Sequence, residues 1–188
     1  MALTISGTSN GKLGNLSLSA NTGDILDSAN TTFFSVDTWR TTSDYTVTAA
    51  GTDEDVTANW ERVDDSGAGY LGTGMTESSG VFTFPSTGIW FINFGGSFYH
   101  PSYRLDYGAM KIRITVDNSD YTDHRTESYC SADGGDFESQ ASSYIVDVTD
   151  TSLVKVKFEV RASRANTLLR GNTDYSNTYA VFVRLGNT

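Results

Sequence analysis

The chain contains short segments in which apolar and polar residues alternate, the pattern of a β-strand that buries one face. In residues 154–161, Val154, Val156, Phe158 and Val160 alternate with charged residues. A helix would distribute these four side chains around its circumference, so the spacing predicts a strand whose apolar side chains face a core. The same alternation predicts two further core-facing sets, which are Met110, Ile112, Ile114 and Val116 and then Tyr179, Val181, Val183 and Leu185.

Residues 88–94 have a different pattern, because only Asn93 interrupts a run of apolar residues after Gly88. Apolar residues at both odd and even positions predict a strand covered on both faces, in a sheet centre or at an interface. Weaker patterns bring the total to about eight to ten strands. The 18 glycines, 10 tyrosines and 10 phenylalanines also favour strands joined by turns. We therefore predict an all-β protein built as an antiparallel two-sheet sandwich.

Residues 1–30 differ from the rest of the chain in being rich in Gly, Ser, Thr and Asn, with scattered leucines and isoleucines. This composition predicts a short extended N-terminal arm, followed by one folded domain over residues 31–188. The apolar residues of the arm are suited either to adding an edge strand to a neighbouring sheet or to lying along the folded domain. We expect the first of these, in which the arm docks on a partner protein.

Charge and export features narrow the classes of function. The formal net charge of −10 produces a field that repels phosphate backbones, so we expect no nucleic-acid partner. Residues 1–24 lack the basic start and apolar run of a secretion signal, and no segment approaches the roughly 20 apolar residues of a membrane span. We expect synthesis in the cytoplasm of the producing cell, without a signal peptide and without membrane insertion.

Several short motifs follow one another in a characteristic order over residues 33–186. They are Ser79–Pro85, Gly88–Phe91, Tyr144–Val148, Leu153–Val160 and Asn177–Leu185. In this order they resemble core strands of the tumour-necrosis-factor and complement-globular-head superfamily, in which a glycine-aromatic strand leads through a proline turn to a second one. The resemblance implies a jelly roll of about ten strands that assembles as a homotrimer through aromatic and aliphatic faces.

The opening residues, Met1–Ser9, resemble the start of structural proteins of tailed bacteriophages, particularly marine ones. This resemblance implies a virion structural protein, namely a homotrimeric capsid decoration (cement) or head-fibre protein on the particle surface. The arm would bind the major capsid protein or another virion protein. One alternative is a tail-fibre or tail-tip adhesin that binds a host surface glycan. A carbohydrate-active enzyme is a third and less expected function.

Aromatic residues are the candidates for a trimer interface or a recognition surface, because aromatics dominate interface energetics. The segment 98–103 combines aromatics with a turn after a strong strand pattern, which predicts a recognition loop. The candidate residues are Trp90, Phe98, Tyr99, Tyr103 and Tyr107.

Residues 117–123 place oxygen-bearing side chains at alternate positions of a turn, which is the chemistry that calcium prefers. The candidate ligands are Asp117, Ser119, Asp120 and Asp123. The segment lacks the glycine and the distal glutamate of the helix-loop-helix calcium loop. A solvated turn closed by Asx hydrogen bonds is therefore the alternative, and we predict no other cofactor.

Two further patterns point to catalysis only weakly. Residues 67–72 match the dinucleotide-binding pattern, but residues 73–80 are rich in helix breakers, so we predict a flexible loop. With 23 acidic residues, chance carboxylate pairs are guaranteed, and the sequence does not fix the separation that glycoside hydrolysis requires. We therefore expect no enzymatic activity. The carboxylates considered for such a pair are Glu61, Asp64, Asp65, Glu77 and Glu138.

Overall fold

The computed structural model describes residues 35–128 and 134–188, with the backbone alone over 122–128. The predicted arm and Cys130 lie outside the described residues. The described residues form thirteen strands, and no helix among them is long and apolar enough to cross a membrane. The strands are β1 (Val36–Thr41), β2 (Tyr45–Val47), β3 (Glu54–Asp55), β4 (Trp60–Arg62), β5 (Thr76–Ser78), β6 (Val81–Thr83), β7 (Gly88–Tyr99), β8 (Gly108–Thr115), β9 (Tyr121–Ser128), β10 (Phe137–Val148), β11 (Lys155–Ala162), β12 (Thr167–Leu169) and β13 (Tyr179–Gly186).

The strands form two antiparallel sheets. The seven-stranded sheet has the order β2-β12-β7-β13-β1-β4, and β10 pairs along the other side of β7. The six-stranded sheet has the order β5-β6-β11-β8-β9, and β3 also pairs with β11. The strand β7 is hydrogen-bonded to other strands along both of its edges and so lies in the centre of its sheet, one of the two locations that the apolar pattern of residues 88–94 predicts. The fold is the predicted all-β jelly-roll sandwich, with more strands than predicted because segments as short as β3 and β12 also pair.

A tight turn joins the short strands β5 and β6. Ser79 and Gly80 connect β5 to β6, and both have positive φ, 52° and 82°. A two-residue turn with two positive φ angles matches the twist of an antiparallel hairpin. Glycine is required at position 80, since a Cβ there would lie 2.6 Å from the backbone oxygen of Val56.

The core between the sheets is an aromatic cluster centred on Phe82, which is fully buried. The Phe82 ring lies 5.2 Å from Trp60, 5.4 Å from Phe158 and 5.3 Å from Phe182, measured between ring centroids. Phe158 in turn stacks on Phe94 of the opposite sheet at 4.5 Å. Tilted and offset aromatic contacts add to the stabilisation from buried area, so this cluster holds the two sheets together.

The alternation in residues 154–161 is confirmed, because its four apolar residues are at most 2% exposed. In the second segment Met110, Ile112 and Ile114 are also buried, but Val116 is 67% exposed. The prediction for Val116 is wrong because β8 ends at Thr115, so the alternation of faces does not continue beyond it.

The third alternating segment, in β13, faces the other way from the prediction. Ala180 and Phe182 are fully buried, whereas Leu185 is 47% exposed and Tyr179, Val181 and Val183 are half-buried. The predicted side of the strand therefore faces away from the core. This side of β13 is nevertheless apolar, although it does not line the core.

Candidate self-association surface

The seven-stranded sheet carries a continuous row of apolar residues on the face that points away from the core, here called the outer face. Directly paired residues of adjacent strands project to the same face. The register pairs Leu71 with Val36, Val36 with Val183, Val183 with Phe91 and Phe91 with Ile145. These five residues, called the apolar row, extend across four strands and the loop before β5.

The apolar row is open to solvent at both ends. Ile145 is 55% exposed and Leu71 is 52% exposed, while the three residues between them are half-buried. The Leu71 backbone is held by two hydrogen bonds to Val36, at 3.1 and 2.9 Å. Contiguous exposed apolar side chains on a rigid surface are typical of an interaction site. The row is therefore a preformed candidate for contact with another molecule.

Beyond the apolar row, the outer face becomes polar and its side chains become small. Asn93 donates a hydrogen bond from Nδ2 to Ser143 Oγ at 2.7 Å. The ring of Tyr179 lies over Gly95, where a Cβ would stand 2.5 Å from the ring. A depression of about 500 Å³ opens beside these residues. It is lined by Gly96, Ser97, Ser139, Gln140, Ala141, Ser176, Asn177 and Tyr179.

Tyr99 lies at the far end of the outer face and stacks on Phe137 of β10, with ring centroids 4.8 Å apart. The guanidinium of Arg170 lies over both rings, at 5.5 and 5.4 Å, and its Nε is 3.1 Å from Asp44 Oδ1. Phe137 remains 59% exposed. Tyr99 thus lies at the surface beside an exposed aromatic ring, while its interface or recognition role stays a prediction.

Arg40 closes one edge of the outer face. Its side chain is 2% exposed, and its nitrogens donate to Glu61 at 2.7 Å, Asp64 at 2.9 Å and Asp65 at 2.5 Å. The hydrogen bond to Glu61 outweighs burial and raises the pKa of the guanidinium above its ordinary value. Three carboxylates considered for glycoside chemistry are therefore engaged by one buried cation, so this cluster offers no free acid-base pair.

The other weak catalytic patterns also have structural explanations. Glu77 accepts a hydrogen bond from the Gly80 backbone at 2.6 Å and so supports the β5–β6 hairpin. Residues 67–72 are followed by strand β5, whereas the dinucleotide-binding motif requires a helix at this point. The described geometry gives no support to either catalytic motif.

Trp90 and Phe98 lie in the core, so the prediction that they contact a partner or receptor is wrong. Both side chains are fully buried. Trp90 packs against Phe84 at 5.3 Å and donates from Nε1 to the Ser86 carbonyl at 3.2 Å. Both residues occupy inward-facing positions of β7. Aromatic character alone did not distinguish the two faces of that strand.

Tyr103 and Tyr107 lie between β7 and β8, outside both strands. Tyr103 is 60% exposed, and the Arg164 guanidinium lies 5.8 Å from its ring. His100 stabilises this loop, since its Nδ1 accepts the backbone N–H groups of Ser102 at 3.2 Å and Tyr103 at 3.0 Å. Tyr107 is half-buried. The loop is structured and presents Tyr103 to solvent, and its recognition role stays a prediction.

The candidate calcium ligands follow β8 in a turn closed by Asp117. Its Oδ1 accepts the backbone N–H groups of Ser119 and Asp120, both at 2.9 Å, and the Thr115 hydroxyl at 2.8 Å. These hydrogen bonds, led by the one from Asp120, lower the pKa of Asp117. In the described ranges no three His, Cys, Asp or Glu residues are grouped to hold a metal, and the Asp123 side chain lies outside them. The geometry favours an Asx-closed turn, and calcium binding stays a prediction.

Three exposed apolar residues of this surface, Leu71, Ile145 and Phe137, were not predicted from the sequence. The apolar pattern of residues 88–94 did carry part of the signal, because it predicted a strand covered on both faces. Leu71 lies in a glycine-rich loop without periodicity, so only the register with Val36 reveals its position.

No protein-family model matches the chain, and no curated protein matches it. Murine APRIL, in its crystal structure at pH 5.0, matches with a TM-score of 0.57 and 15% identity, covering 81% of this chain and 99% of that chain. Eiger TNF from S. frugiperda matches with a TM-score of 0.56 and 14% identity, covering 82% and 94%. PRD1 vertex protein P5, at a TM-score of 0.46 and 14% identity over 83% and 98%, is too remote to bear on function. The chain therefore has a jelly roll similar to that of tumour-necrosis-factor-like proteins.

Proposed function

We propose that this protein is a non-enzymatic structural component of a bacteriophage virion surface that assembles as a homotrimer through the outer face of its seven-stranded sheet. The observation that carries the proposal is the apolar row, which lies on hydrogen-bonded strands of the protomer and is exposed to solvent at both ends. None of the five side chains of the row is charged, and Arg40, at the edge of the same face, is engaged by three carboxylates. A sheet face of this kind is suited to close packing against a second copy.

Self-association is tested by the mass of the purified protein in solution. A protomer of 20.4 kDa gives a trimer of about 61 kDa, which is three times that mass. Light scattering at several concentrations should give the trimer mass, with dissociation only on dilution. A species that stays at the protomer mass at all concentrations would contradict the proposal.

The place of the protein in the virion is a separate proposal, supported by the resemblance of residues 1–9 and by the composition of residues 1–30. The arm holds the trimer on the major capsid protein or another virion protein of the particle. Deleting residues 2–24 should abolish incorporation into particles, measured by mass spectrometry of purified virions, while light scattering still finds a folded trimer. Unchanged incorporation would show that residues 2–24 do not attach the protein to the particle.

A glycan-binding adhesin of the phage tail is the second candidate. It is favoured by the depression on the outer face, whose hydroxyl and amide groups lie near the 59% exposed ring of Phe137. Aromatic rings beside polar groups are suited to stacking against a pyranose. Phe137→Ala should weaken binding to immobilised neutral hexopyranoses about tenfold. If Tyr103→Ala weakens binding instead, the loop between β7 and β8 is the recognition surface.

A further inference from the structure

The outer side of the six-stranded sheet carries a compact charge network around Glu159. The sequence alternation places Glu159 on the solvent side of β11, yet the residue is only 5% exposed. Its Oε1 accepts from Arg113 at 2.7 Å and lies 3.6 Å from Lys157 Nζ. Lys157 also binds Asp55 Oδ2 at 2.7 Å. One ammonium group therefore bridges two carboxyl groups.

Asp55 and Glu159 are direct cross-strand partners in the β3–β11 pair. Directly opposed residues of an antiparallel pair have Cβ atoms about 5 Å apart, and two like charges at such positions destabilise the pair. The remaining oxygens, Asp55 Oδ1 and Glu159 Oε2, are shielded from solvent and have no hydrogen-bond donor. Two buried acceptors without a donor are costly, whereas a single proton between them would satisfy both.

We propose that Asp55 and Glu159 share one proton between Oδ1 and Oε2 and so form a pH-sensitive latch. The latch holds the segment 49–57, called the strap, on the edge of β11. The proton is taken from solvent and returned to it, and the pair carries one negative charge when latched. Backbone hydrogen bonds also attach the strap to β11, from Gly51 N to Ala162 O at 2.7 Å and from Val56 N to Phe158 O at 2.9 Å.

The charged neighbours of the pair limit it to one proton. Arg113 and Lys157 bind the other two oxygens and favour the ionised carboxylates, so they oppose protonation of both groups, whereas burial and the contact between Asp55 and Glu159 favour retaining one proton. Lys111 on β8 is engaged by Asp53 and does not add a free charge. The other groups on this side are Tyr121 of β9, whose ring lies 4.7 Å from Lys157 Nζ, and Arg161 of β11, whose guanidinium lies 5.3 Å from the Tyr107 ring. Glu54 of the strap pairs with the core-facing Val160 and accepts hydrogen bonds from Thr48 and Tyr45.

The raised pKa of Glu159 determines how pH changes the attachment of the strap. Burial, followed by the contact with Asp55, raises the pKa of Glu159 above its ordinary 4.5. A group whose pKa is raised on folding adds stability below its unfolded value and loses it as the pH rises through the folded value. The strap is therefore latched in mild acid and loosens towards higher pH.

Two measurements test the latch in the full-length protein. An infrared difference spectrum, wild type minus Asp55→Asn, should contain a protonated carboxylic-acid carbonyl band at pH values above 4.5, because the ordinary surface carboxyl groups contribute equally to both proteins and cancel. Hydrogen exchange of the strap amides, corrected for intrinsic rates, should lose protection with rising pH by up to about tenfold per pH unit. In Asp55→Asn the amide donates to Glu159 at every pH, so this dependence should disappear.

Asp106→Asn is the matched control, because Asp106 is an exposed aspartate outside the network. This variant should keep both the infrared band and the pH-dependent protection. Absence of the acid band from the difference spectrum above pH 4.5 would overturn the shared proton. Strap protection that keeps its pH dependence in Asp55→Asn would overturn the latch, even if that variant is less stable overall.

Discussion

Ile145 gives the most direct test of the outer face as an interface. The side chain ends the apolar row and is already 55% exposed in the protomer, so Ile145→Lys should leave the protomer folded. In a trimer closed over this face, the same substitution would place an ammonium group in each apolar contact. We expect the variant to be a folded monomer.

The magnitude follows from the exposed fraction. Complete burial of an isoleucine contributes about 1.5–3 kcal/mol, and roughly half of this remains to be gained on assembly. Truncation at Ile145 should therefore cost about 1 kcal/mol per contact and about 3 kcal/mol over three contacts. This corresponds to roughly a hundredfold weaker trimer. Lysine adds the cost of burying a charge, which is several kcal/mol, so Ile145→Lys should dissociate fully at concentrations where Ile145→Ala still assembles.

Sedimentation equilibrium over a range of concentrations measures these differences. Val116→Lys is the control, because Val116 is 67% exposed but lies beyond the end of β8, outside the apolar row. This variant should assemble like the wild type. An Ile145→Lys protein that still sediments as a trimer would show that the apolar row is not the contact surface.

Three other predictions concern the core and the turn after β8. Phe82→Ala should lower the free energy of unfolding by about 3–5 kcal/mol in chemical denaturation, because it opens a cavity at the centre of the aromatic cluster; a loss below about 1 kcal/mol would refute that role. The pKa of Asp117 is lowered on folding, so its stabilisation is present at neutral pH and disappears as acid protonates it. Asp117→Ala should therefore lower the melting temperature at neutral pH and flatten the acid side of the stability profile, whereas an unchanged profile would contradict the role of the turn. Calcium at this turn should raise the melting temperature of the wild type but not of Asp117→Ala, and the absence of any calcium effect would discard the site.

The fold could be predicted from the sequence where one side of a strand is clearly more apolar than the other. In residues 154–161 the charged positions leave a single possible core face, and the structure confirms that face. In β13 both faces are apolar, with Phe182 on one and Val181 and Val183 on the other. Periodicity then identifies the strand but does not determine which face packs inward.

The candidate surface could be predicted only in part for the same physical reason. Burial of an aromatic residue depends on strand parity, and Trp90 and Phe98 have the inward parity of β7 while Tyr99 has the outward one. The apolar row additionally depends on register between segments far apart in the chain, such as Phe91 and Ile145. Such pairings are tertiary information that a local pattern does not contain.

The cluster around Arg40 also limits how this chain can change during evolution. Loss of Arg40 alone would leave three neighbouring carboxylates without their common counter-ion. Any single substitution of this arginine should therefore lower the free energy of unfolding, because the three carboxylates would repel one another. Substitutions of Glu61, Asp64 or Asp65 each leave Arg40 with other partners and can be accepted one at a time. The order of replacement is therefore constrained: acids can be lost before the arginine, and related chains should retain Arg40 longer than any one of its three partners.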